Sequence, residues 1–100
     1  MKAKPLIMTV EDVFQIEGRG TVLTGFRGPD VELVRPGISV ELLTPEGVRF
    51  ANSIAQVEIF RGPLTDKAAK NLGLLLATSV SSDQLPRGTK VHYTSNPNVA

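Results

Sequence analysis

The residues able to do chemistry are few in this chain, and each is read against the element that would have to hold it. Gly20-Thr21-Val22-Leu23-Thr24-Gly25 has the glycine spacing of a phosphate-binding loop. Phe26-Arg27 follow where a lysine and a metal-binding hydroxyl are required, and the residues between the glycines are strand formers rather than a flexible turn opening a helix. The segment is therefore predicted to be a strand, with no nucleotide. Glu11 and Asp12 are adjacent carboxylates, but neighbours on a strand point to opposite faces and could flank one bond only if a bulge intervened. His92 is the sole histidine and there is no cysteine, too few ligands for a metal site. Ser79, Ser81 and Ser82 lie in a polar turn without a nucleophile-elbow pattern. No enzyme, cofactor or metal is expected.

The elements that must position these residues read as strands. The apolar runs are short, rich in β-branched residues and punctuated by Gly and Pro. They cover Leu6 to Ile16, Thr21 to Phe26, Ile38 to Leu43, Phe50 to Phe60, Leu72 to Val80 and Lys90 to Tyr93. Six short strands with regular turn signals point to a sandwich or a small closed barrel, and closure removes exposed edges. Thr65 to Lys70 offers a single helical turn, capped by Thr65 with Asp66 near its start. The aromatic residues Phe14, Phe26, Phe50, Phe60 and Tyr93 could stack on bases, but their spread over separate runs assigns most of them to the core.

A chain of 100 residues with 41% hydrophobic residues is the size of one domain with one core. The barrel is expected over about residues 5–93, with a frayed tail over 94–100. The Leu6-Ile7-Met8 patch is too short for a signal-peptide core or a bilayer span, so a soluble cytoplasmic protein is expected. The initiating methionine just before the barrel and the polar tail read as natural ends. Eleven basic and ten acidic residues leave a net charge of +1. They alternate along the chain, so no clustered cations announce a nucleic-acid binder.

The run from Glu11 through Val13-Phe14-Gln15-Ile16-Glu17-Gly18-Arg19-Gly20 to Gly25 resembles the opening of the second domain of elongation factor Tu and its translation GTPase relatives. The resemblance continues through Val34-Arg35-Pro36-Gly37-Ile38-Ser39-Val40-Glu41-Leu42, through Ile54 to Arg61, through Asn71-Leu72-Gly73-Leu74-Leu75-Leu76, and to Arg87-Gly88. It covers nearly the whole chain in order. It implies an all-β fold, a small closed antiparallel six-stranded β-barrel whose interior is filled by Val22, Leu42, Ile59 and Leu75.

In that family the domain forms a pocket for the aminoacyl end of transfer RNA and its terminal adenosine. Glu11, Asp12, Phe14, Thr24 and Asn71 fall on positions lining the amino-acid side, and Glu58 on the one approaching the adenosine. Arg19, Arg27 and Arg61 are the candidates for RNA backbone contacts, with transfer RNA or ribosomal RNA as partner. The sequence departs from the family at Ala69 and Lys70, where glycine and an acidic residue would stand, and at Gly28-Pro29-Asp30, where the loop is usually more charged. The nucleotide-binding and third domains of the family have no counterpart here. The resemblance therefore implies a binding module acting without chemistry. The alternative is a protein-interaction module that docks on a GTPase or another translation-related protein and keeps only the scaffold.

Overall fold

The structure, a computed structural model, describes residues 4–59 and 72–95. Six strands, β1 (Leu6–Ile16), β2 (Gly20–Arg27), β3 (Ser39–Leu43), β4 (Arg49–Ile59), β5 (Leu72–Leu76) and β6 (Lys90–Ser95), form a closed barrel in the order β1-β2-β5-β4-β3-β6. Every pairing is antiparallel. Among the described residues, two short 3-10 turns, η1 (Val31–Leu33) and η2 (Ser82–Gln84), interrupt the connections. The predicted helical turn over 65–70 lies outside the described residues, as does Phe60.

Alternation explains most of the core, and the neighbours Ile7 and Met8 are both buried at a register shift between β1 and β6. Leu23, Val40, Leu42, Leu72, Leu74, Leu76 and Val91 point inward with Ile7, Met8, Val10, Ile38, Ile54 and Leu85, and all are at most 3% exposed. A barrel this small is filled by its own side chains. Leu75, expected inside, is instead half-buried on the outer face, because the inward positions of β5 are taken by Leu72, Leu74 and Leu76. Val22 is buried but shares Leu75's outward row. The side chain of Ile59 lies outside the described residues.

Of four register shifts among the described residues, two set which residues of the β1-β2-β5-β4 half face outward. On β1 the register against β2 shifts between Val10 and Asp12, leaving Glu11 as the extra residue. Val10 therefore points in and Asp12 out, whereas unbroken alternation would put both on one face. A second shift between Ile54 and Gln56 does the same for β4.

The predicted strand over 72–80 ends at Leu76. Beyond it the Asn52 side chain replaces the ladder, its Oδ1 accepting the Thr78 N–H at 3.1 Å and its Nδ2 donating to the Thr78 carbonyl at 2.9 Å. At the other side of the barrel, the Gly28-Pro29-Asp30 loop is tied to the start of β1. Gly28 N–H donates to the Ile7 carbonyl at 2.7 Å, and Asp30 exchanges bonds with Leu6.

On the outer face of β3, Glu41 accepts from Lys4 Nζ at 3.0 Å and Arg49 Nη1 at 3.2 Å, and pairs across the ladder with His92. The Lys4 hydrogen bond holds the Glu41 carboxyl below the usual carboxylate range, and the charges of Lys4, Arg49 and His92 act in the same direction against partial desolvation. A depressed folded value means stabilisation that is present above the unfolded value of roughly 4.3 and fades as pH falls through the folded one. Glu41→Gln is expected to lower the melting temperature slightly at pH 7 and to converge on the wild type as pH drops below that range. Thermal melts with an unchanged gap from pH 7 to pH 3 would contradict this.

Candidate functional site

The β1-β2-β5-β4 half of the barrel brings together four of the residues singled out from the sequence. The registers join Asp12 to Thr24, Thr24 to Gly73 and Gly73 to Glu58, one row across four adjacent strands. Residues directly opposite one another share a face of a sheet, so Asp12, Thr24 and Glu58 all face outward. Gly73 contributes no side chain to the row and is itself buried. The next row runs Phe14, Val22, Leu75, Gln56. It is an apolar strip ending in an amide, with the Phe14 ring 50% exposed at its edge.

Phe14 and Phe26, at 50% and 41% exposure, are not core residues, whereas Phe50 and Tyr93 pack against the core. The reason is register: the Glu11 bulge turns Phe14 outward, and the inward positions beside it go to Val13 and Leu23.

Glu11 stands beside this row but is engaged elsewhere. Its carboxylate lies 3.7 Å from Arg87 Nε, in the turn before β6 whose Gly88 N–H donates to the Val10 carbonyl. The Glu11 carboxylate is thus engaged with Arg87 rather than in the Asp12 row. Asn71 and Arg61 lie outside the described residues.

Arg19 reaches from the β1–β2 turn across the outer face of β5 to β4. Its Nη2 donates to Glu58 Oε1 at 2.7 Å and to Gln56 Oε1 at 2.8 Å. Arg19 therefore orients Glu58 and neutralises it. Arg27 is at the far end of β2, about 26 Å away along an extended strand. The two arginines do not make one basic patch.

Gln56, Gly73 and Leu75 belong to this face although their sequence context does not single them out as site residues. The only signal for Gln56 is its two-residue spacing from Glu58, which places both on one side of a strand.

The phosphate-loop spacing of Gly20 to Gly25 lies within β2, as strand. His92 Nδ1 sits 3.2 Å from the Lys4 carbonyl oxygen. No group of three or more His, Cys, Asp or Glu among the described residues is arranged to hold a metal ion. Among the same residues no helix is long and apolar enough to cross a membrane.

No family model matches the chain.

Proposed function

We propose that this chain is a non-catalytic, cytoplasmic binding module of the kind found as the second domain in translation GTPases, and that the outer face of β1-β2-β5-β4 receives the aminoacyl end of a transfer RNA. The observation that carries this reading is the single row of Asp12, Thr24 and Glu58 across adjacent strands with Phe14 alongside. Such a row offers a carboxylate for a protonated α-amine, a hydroxyl and a second carboxylate for ribose hydroxyls, and a ring for stacking. The closed six-stranded barrel is the fold that the resemblance implies.

The same geometry separates two of the arginines that would contact a phosphate backbone. Among the described residues, Arg19 is committed to Glu58 and Gln56 and Arg27 is a strand length away, so these two do not supply the clustered cations that drive backbone binding. A shallow site of this sort binds weakly once the cost of association is counted.

The test is an amide-resolved NMR titration with an acceptor-stem minihelix carrying an amide-linked amino acid, beside the bare minihelix. The aminoacylated form is expected to shift Asp12, Phe14, Thr24 and Gly73 at millimolar concentrations, and Asp12→Asn to weaken it by about tenfold. The absence of localised shifts at millimolar RNA would end the proposal.

Phe14 and Ile16, exposed at successive outward positions of β1, support a second reading, a protein partner on the same face. Pull-down from nuclease-treated lysate separates the two, since a protein partner survives the loss of RNA.

A further inference from the structure

A cleft of about 350 Å³ lies at one end of the barrel, between the β3–β4 turn and the segment carrying η2. It shares no residue with the Asp12 row. Its apolar surface comes from Val48, Phe50 and Pro86. Val48 is 50% exposed, although Phe50, two residues on, packs against the core.

Both ionisable side chains lining the cleft are acidic, Glu46 from one wall and Asp83 from the other. The Ser81 hydroxyl donates to the Asp83 carboxylate, which lowers its pKa and keeps it charged. The basic residues adjacent in sequence to the lining, Arg49 and Arg87, lie against Glu41 and Glu11 and do not line the cleft.

The walls are set before anything binds. On one side the Thr44 hydroxyl accepts the Val48 N–H at 3.0 Å, while Thr44 N–H donates to the Val48 carbonyl and Gly47 N–H to the Thr44 carbonyl, both at 2.9 Å. On the other side the Thr89 hydroxyl donates to the Pro86 carbonyl at 2.6 Å and Gln84 N–H to the Ser81 carbonyl at 3.0 Å. Walls held this way need little ordering on binding.

An apolar floor between two carboxylates complements a side chain with an apolar stem and a cationic head. The volume is at the small end for a ligand site, enough for a side chain or two rather than a whole folded surface. We infer that this cleft docks a lysine- or arginine-bearing segment of a partner polypeptide, the stem lying on Val48, Phe50 and Pro86 and the charged head between Glu46 and Asp83.

The experiment titrates the full chain with a capped Leu-Lys-Leu tripeptide and with the same peptide carrying norleucine in place of lysine, followed by amide NMR. Saturable shifts at Val48, Phe50 and Gln84 are expected from the lysine peptide, with affinity at least about threefold better than the norleucine form. Glu46→Gln should weaken binding about threefold, and Glu46→Gln with Asp83→Asn about tenfold. The single variant keeps the Ser81 contact intact and guards against loss of the η2 turn in the double one. No shifts at about 20 mM peptide, equal binding of the norleucine form, or unchanged affinity in both variants would each overturn the inference. Either result leaves the aminoacyl-end proposal untouched, because the two sites have no residue in common.

Discussion

Gly25→Ala is expected to be the most damaging single methyl addition in the described barrel, with a loss on the order of 3 kcal/mol or more. A Cβ placed at Gly25 falls 2.9 Å from the Glu11 nitrogen and overlaps the carbonyl oxygen of Thr9 outright. Both are backbone atoms, so no rotamer change relieves the clash. The obstruction is the β1 bulge itself, where Val10 pairs with Gly25 and the extra residue Glu11 crowds the partner strand. Relief requires the two strands to separate or the bulge to be undone.

Against a total stability of about 5–15 kcal/mol, such a loss corresponds to a fall in melting temperature of about 15 °C or more. Gly18→Ala supplies the contrast within the same hairpin. Gly18 has φ of +79°, but a Cβ added there would meet nothing within 4 Å, so only the left-handed backbone is penalised, by about 1–2 kcal/mol. Calorimetry on both variants checks the ordering. A Gly25→Ala protein that melts with Gly18→Ala, or above it, would show that the bulge does not depend on a bare Cα. The consequence reaches the proposed site, because undoing the bulge rotates Asp12 and Phe14 off the outer face.

How much of this is legible in the sequence follows from where the determining forces act. Turn residues and β-branched runs act locally, and the six strands are where they point, with β2, β3, β4 and β6 displaced only at their ends and β5 four residues shorter than expected. Bulges belong to the pairing of two strands. The adjacency of Glu11 and Asp12 makes a bulge the condition for their sharing a face, but nothing local to β1 announces one. In the Leu74-Leu75-Leu76 run all three side chains are alike, so hydropathy cannot say which is outward, and the expectation of Leu75 inside fails for that reason. The partners of Arg19 are 37 and 39 residues away, and only the folded order β1-β2-β5-β4 brings them within reach. Of the proposed pocket, the row through Asp12, Thr24 and Glu58 is carried by resemblance. The exposure of Phe14 beside it is a result of packing.

The second large effect is expected from Thr21→Val, which keeps the shape of a fully buried side chain and removes its hydroxyl. Thr21 Oγ1 accepts the Val80 N–H at 2.9 Å, and its single proton is directed at the Val80 carbonyl, 2.9 Å away, or at Gln15 Oε1, 3.2 Å away. Gln15 Nε2 also donates to the Val80 carbonyl, at 2.7 Å. Val80 is thus fastened to β1 and β2 by side chains alone, at the point where the chain leaves β5 and crosses toward η2. A methyl in place of the hydroxyl leaves the Val80 N–H without its acceptor, at a cost of about 1–3 kcal/mol, while Gln15 keeps the carbonyl satisfied. The melting temperature should fall by about 10 °C, and amide exchange at Val80 should accelerate more than at Leu74 in the core. Thr21→Ser, which retains the hydroxyl, should preserve Val80 protection while losing about 0.8 kcal/mol for the missing methyl. Undiminished protection of Val80 in Thr21→Val would mean that the segment is held by the burial of Leu85 and not by this hydroxyl. Because the same segment carries Asp83 and Pro86, the tripeptide affinity of the end cleft should fall in Thr21→Val and hold in Thr21→Ser, which ties the geometry of that cleft to one buried oxygen on β2.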